Sequence, residues 1–156
     1  MKAASLKELK TELQTLPLAT VLDLCMHLAK YKKENKELLT YLLFEAHDEE
    51  YYIKEVKELI DEQFENINKS SLFLAKKTVR KVLRTTNKFI KYSGLKQTEV
   101  ELLIYFCNKI KNSGLPLPDN TALGNLYQRQ ILKINKALKT LHEDLQYDFS
   151  EEIKLL

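Results

Sequence analysis

The 156-residue sequence predicts an all-α fold, and three observations carry that prediction. Glycine and proline number only three each, too few for the turns of a β-sandwich or a doubly wound sheet. Apolar residues recur at intervals of three and four along seven segments, the spacing that places them on one side of a helix. Hydrophobic residues make up 44% of the chain, which excludes disorder, and the length suits one domain, 1–156, whose core needs no disulfide or metal.

Each segment has its own start or stop signal. Ser5 and Glu8 form a capping box that opens a short helix, 5–15. Pro17, favoured at a first helical position, opens a second helix to about Lys33, with Leu18, Val21, Leu22, Cys25, Leu28 and Ala29 on one face. Asn35 is expected to cap a third, Lys36 to about Ala46, whose Leu38, Leu39, Leu42 and Leu43 predict burial over a wide face. Asp48 caps the fourth, which runs to about Asn66 and turns Tyr52, Ile53, Val56, Leu59, Ile60 and Ile67 inward.

The fifth helix, about Ser71 to Tyr92, ends in Ser93, Gly94 and Leu95, where glycine can turn left-handed and the leucine can fold back on the last turn. The same ending at Ser113, Gly114 and Leu115 closes a sixth helix, about Thr98 to Lys111. Its middle, Leu102 to Cys107, is apolar nearly all round, which marks the central core helix. Leu115 to Pro118 is a connector, after which Asp119 or Asn120 is expected to cap a long seventh helix. Its stripe, Leu123, Leu126, Tyr127, Ile131, Ile134, Leu138, Leu141 and Leu145, spans about 33 Å. An acidic tail, 147–156, follows. Short connections predict antiparallel hairpins of helices two with three, four with five and six with seven, in a layered helical array or, less favoured, a compact bundle. The pairs begin near residues 17, 48 and 98, so no tandem repeat is present.

The longest uninterrupted apolar run, Leu102 to Cys107, is six residues against the roughly 20 that a spanning helix needs, so no membrane partner is expected. Lys7, Glu8, Lys10 and Glu12 interrupt the stretch where a secretory signal would be apolar. A cytoplasmic chain follows as the expectation, with Cys25 and Cys107 unpaired and buried on apolar stripes.

Charge is the informative feature. The net +3 hides 9 basic and 14 acidic side chains in residues 1–68, 15 and 3 in residues 69–139, and 1 and 5 in residues 140–156. On the fifth helix Lys77, Arg80, Lys81, Arg84, Lys88 and Lys91 fall within an arc of roughly 100°, opposite Val79, Val82, Leu83, Phe89 and Ile90. The commoner explanation of such a stripe is a solvated face, or one laced by ion pairs to Glu55, Glu58, Asp61, Glu62 and Glu65 on the fourth helix. The sharper one is a phosphate-binding face, extended by Arg129, Lys133 and Lys136 on the seventh helix. No zinc-finger spacing, ribonucleoprotein aromatic signature or basic zipper accompanies it.

Catalytic chemistry finds no pattern. Cys25 and His27 stand two apart and point to different sides of a helix, His47 with Glu50 reads as a capping or surface pair, and His142 is expected near the end of the seventh helix, where a cation suits the dipole. There is no glycine-rich phosphate loop and no nucleophile elbow. The eight tyrosines read chiefly as half-buried rings at core margins. The sequence therefore predicts a non-enzymatic binding or scaffold module, without cofactor or metal, that acts through contacts with an unidentified protein. The alternative is sequence-independent binding of a nucleic-acid backbone through the basic face of the helices near 71–92 and 120–146.

Overall fold

The computed structural model describes residues 2–156. They form eight α-helices: α1 (Leu6–Thr15), α2 (Leu18–Tyr31), α3 (Lys33–Thr40), α4 (Glu49–Glu65), α5 (Leu72–Ser93), α6 (Lys96–Asn112), α7 (Ala122–Leu138) and α8 (Glu143–Lys154). A single π turn, Tyr41–Glu45, continues from α3. No strand occurs among the described residues. None of the helices is long and apolar enough to cross a membrane. Length alone suits one domain; the chain packs as two compact units, Met1–Phe44 and Glu45–Leu156.

The amino-terminal unit is an open arrangement of α1, α2 and α3. Ser5 and Glu8 make the expected capping box, the Ser5 amide and hydroxyl each donating to Glu8 Oε2 at 2.7 Å. The second and third helices pack together as expected, but the chain re-enters helix earlier than the capping argument places it. Extended backbone at Lys32 makes the turn, so Asn35 lies inside α3 and its side-chain amide instead donates to the Leu28 carbonyl at 2.8 Å. The burial expected of the third helix is also corrected: Leu42 and Leu43 are exposed and Leu38 and Leu39 only half-buried. Three short helices enclose no interior, and of the described residues in this unit Tyr41 alone is buried.

The second unit is a bundle around one helix, not a layered array. α6 packs against α4, α5, α7 and α8, and its Leu102, Leu103, Ile104, Phe106 and Cys107 have essentially no exposure. Asp48 caps α4 by accepting from the Tyr51 amide, and Ser71 caps α5 by accepting from the Leu74 amide. α4 and α5 run antiparallel: Tyr52 near the start of α4 donates to the carbonyl of Phe89 near the end of α5 at 2.9 Å. Gly94 (φ 70°) and Gly114 (φ 77°) take the left-handed conformation that ends α5 and α6. Leu115 then buries itself, whereas Leu95 stays exposed because it serves as the residue before α6.

Two expectations for the carboxy-terminal third are corrected. Thr121, not Asp119 or Asn120, caps α7, its hydroxyl accepting from the Gly124 amide at 3.1 Å while Asn120 turns left-handed ahead of it. The long seventh helix is in fact two. Thr140 bonds back to the Ala137 carbonyl and the Gln146 side-chain amide to the Leu141 carbonyl, side-chain bonds that take the place of the helical ladder. His142 accordingly stands at the start of α8, not at a helix end, and its Nδ1 faces the Asp144 amide and carboxylate. The expected acidic tail is helix α8, which buries Phe149. Tyr127 and Lys111 fix its end by donating to the carbonyls of Leu156 and Leu155 at 2.8 and 2.6 Å.

Candidate functional site

The amphipathic pattern of α5 sets the geometry of the basic face. Ala75, Val79, Val82, Thr86 and Ile90 turn into the bundle, which forces the opposite arc outward. Lys77, Arg80, Lys81, Arg84 and Lys91 are exposed, as are Arg129 and Lys136 on α7. None of these seven is in an ion pair among the described residues. The other two predicted residues are engaged. Lys88 is half-buried with its ammonium 4.9 Å from the Phe89 ring centre. Lys133 donates to the Asn87 side chain at 2.7 Å and pairs with Glu99 at 3.3 Å.

That Lys133 contact joins the two helices. Asn87 lies at the edge of the α5 stripe, and Lys91 and Lys133 line one hollow of about 390 Å³ together with Lys96 and Glu99. Arg129 and Lys136 stand one turn to either side of Lys133 along α7. Glu99 is the negative charge within the cluster. Burial opposes its ionisation, but hydrogen bonds from Lys96 and Lys133 outweigh burial and hold its carboxyl below the usual carboxylate range.

The expected lacing of those five α4 acids to the α5 stripe does not form among the described residues. No ion pair joins Glu55, Glu58, Asp61, Glu62 or Glu65 to the α5 stripe, because the two outward faces diverge around a shared core. Asp61 and Lys57 of α4 bond to α6 instead. Asp61 accepts from Tyr105 at 2.7 Å and pairs with Lys109 at 2.8 Å, and Lys57 pairs with Glu101 at 2.6 Å. Burial, with the Asp61 bond, pushes the Tyr105 phenol up, and the Asp61 bond raises Lys109. These are structural ties between two helices.

The amino-terminal unit offers the second surface. Between α2 and α3 lies an apolar groove of about 340 Å³ lined by Cys25, Leu28, Ala29, Leu38, Leu39 and Leu42, with Asn35 at its side. A neighbouring hollow of about 580 Å³ has a Met26, Leu43 and Phe44 floor and a rim of Lys30, Lys32, Lys33 and Lys36. The burial that periodicity predicts for these leucines and for Cys25 is not found; Cys25 is a free, exposed thiol, and Cys107 a free, buried one. Sequence reasoning misses the groove because an apolar stripe reads the same whether its own fold or a partner covers it. One signal does point to it: α2 is apolar on nearly every side, with only Thr20, Asp23, His27 and Lys30 interrupting it.

Among the described residues no three His, Cys, Asp or Glu side chains gather as a metal site requires. No protein-family model, curated protein or solved structure matches the chain.

Proposed function

We propose that the chain is a non-enzymatic interaction module whose amino-terminal unit receives an amphipathic helix of a partner protein. One observation carries this reading: α1, α2 and α3 contain no buried residue, while Leu18, Leu22 and Leu28 are 85%, 60% and 58% exposed. Contiguous apolar surface of this kind marks an interaction site. The α2–α3 groove suits the apolar anchors of one helix at intervals of three and four, and the lysines of the neighbouring hollow favour acidic residues on that helix's outer side. A synthetic 18-residue peptide with a leucine face and glutamates opposite is the probe, followed by fluorescence anisotropy. The wild type binds it, a scrambled peptide is not bound, and Leu28→Glu abolishes binding. Absence of binding, or a dimer in light scattering that Leu28→Glu disperses, overturns the assignment; the dimer would make a second copy the occupant.

The exposed, unpaired cations of α5 and α7 favour a second activity, sequence-independent binding of a nucleic-acid backbone. Seven free cations set an upper limit of about 6 on the salt slope, at 0.9 per phosphate neutralised on a duplex. Arg80, Arg84 and Lys91 replaced together by Gln lower affinity for unrelated duplexes equally and reduce the slope by up to about 3. Titration at about 50 mM salt, where such binding is strongest, is the test; no binding there removes this activity.

A further inference from the structure

The basic face contains one residue that phosphate binding does not require. Phe73, in the first turn of α5, is 76% exposed. By helical spacing it stands one turn before Lys77, within the same arc as the cations. Phe73 and Leu83 line a hollow of about 500 Å³ whose other walls are Lys76, Lys77, Arg80 and Arg84. An aromatic ring left in water at the amino-terminal end of a cationic surface presents a flat apolar face with charge beside it. A duplex cannot use that face, since its own base faces are stacked on one another. A single strand can, because an unstacked base lies on the ring while the neighbouring phosphates meet the cations. The start of α5 does not oppose an anion, since its first turn carries no acidic residue.

From this geometry, and resting on the nucleic-acid reading above, we infer that the Phe73 hollow is a base-stacking seat and that the basic face prefers single-stranded nucleic acid to duplex. The chain has no tryptophan, so Phe73→Trp supplies a single indole reporter. The probes are a 20-residue oligothymidylate and a mixed-sequence 20-bp duplex at about 50 mM salt, with vesicles of phosphatidylcholine and phosphatidylserine as a third arm. The single strand binds more tightly than the duplex and quenches the emission of the introduced indole. Phe73→Ala weakens single-strand binding by about tenfold and leaves duplex affinity unchanged, and circular dichroism shows the fold intact because the ring is exposed. Equal loss for both probes, or no loss for either, overturns the stacking seat while the Arg80, Arg84 and Lys91 variant still defines the backbone site. Absence of binding to both nucleic acids overturns the backbone reading and the seat together. Vesicle binding with blue-shifted, brighter indole emission, in place of quenching by the oligonucleotide, assigns the ring to a lipid interface and overturns the inference.

Discussion

Leu103→Ala probes the central claim about the carboxy-terminal unit, that α6 is enclosed on all sides. Leu103 is 0% exposed, and the helix carrying it is held by α4, α5, α7 and α8. The substitution removes three carbon groups, worth about 2 kcal/mol at 0.8 kcal/mol each. It also leaves a void that four packed helices cannot close, which adds about as much again. The expected loss is about 4 kcal/mol. With a urea slope of about 1.5 kcal/mol per molar, the unfolding midpoint falls by between about 2 and 3 M. Glu58→Ala, at an exposed position of α4, shifts stability by no more than about 0.5 kcal/mol. Urea denaturation followed by circular dichroism measures both. Equal shifts, or a Leu103→Ala loss below about 1 kcal/mol, would refute the placement of α6 at the centre of the bundle.

Three further outcomes follow from named contacts. Glu99 has a folded pKa below the ordinary 4.5, so its contribution to stability is present above that value and disappears as the pH falls through the lower folded value; Glu99→Gln flattens this acid limb in pH-dependent thermal melts. Burial pushes the Cys107 thiol up to about 12, so one native thiol, Cys25, reacts quickly with a disulfide reagent and the second appears only on unfolding; two fast thiols would contradict this. A methyl group at Gly124 would stand 2.2 Å from the Pro118 carbonyl oxygen, so Gly124→Ala destabilises by between about 1 and 3 kcal/mol in spite of alanine's better helix propensity, as calorimetry would record.

Groove and basic face place different demands on the rest of the molecule. The cations of α5 need only a rigid helix with its apolar side anchored, which Ala75, Val79, Val82 and Ile90 provide. The α2–α3 groove leaves its apolar surface in water, a cost that the Asn35 bond to Leu28 and the Ser5 capping box offset only in part. Binding is thereby coupled to the stability of the amino-terminal unit, since a ligand of the folded form alone stabilises it by mass action.

Local chemistry by itself determined much of this protein. The caps at Ser5 and Asp48, the left-handed glycines at 94 and 114, the all-apolar middle of α6 and the angular clustering of the α5 cations each depend on residues within a turn or two of one another. Such features are legible because helical periodicity converts spacing directly into direction. Tertiary structure alone decided the rest. Lys133 on α7 reaches Asn87 on α5, and Asp61 and Lys57 on α4 tie to Tyr105, Lys109 and Glu101 on α6, through contacts between residues far apart in the chain. The long seventh helix breaks, and Phe149 packs, through a single turn of side-chain bonding that no periodicity announces. The same limit hid the groove. Leu28 and Leu39 lie on helical stripes just as Val56 and Ile60 do, and only the presence of covering helices distinguishes a core from an exposed groove.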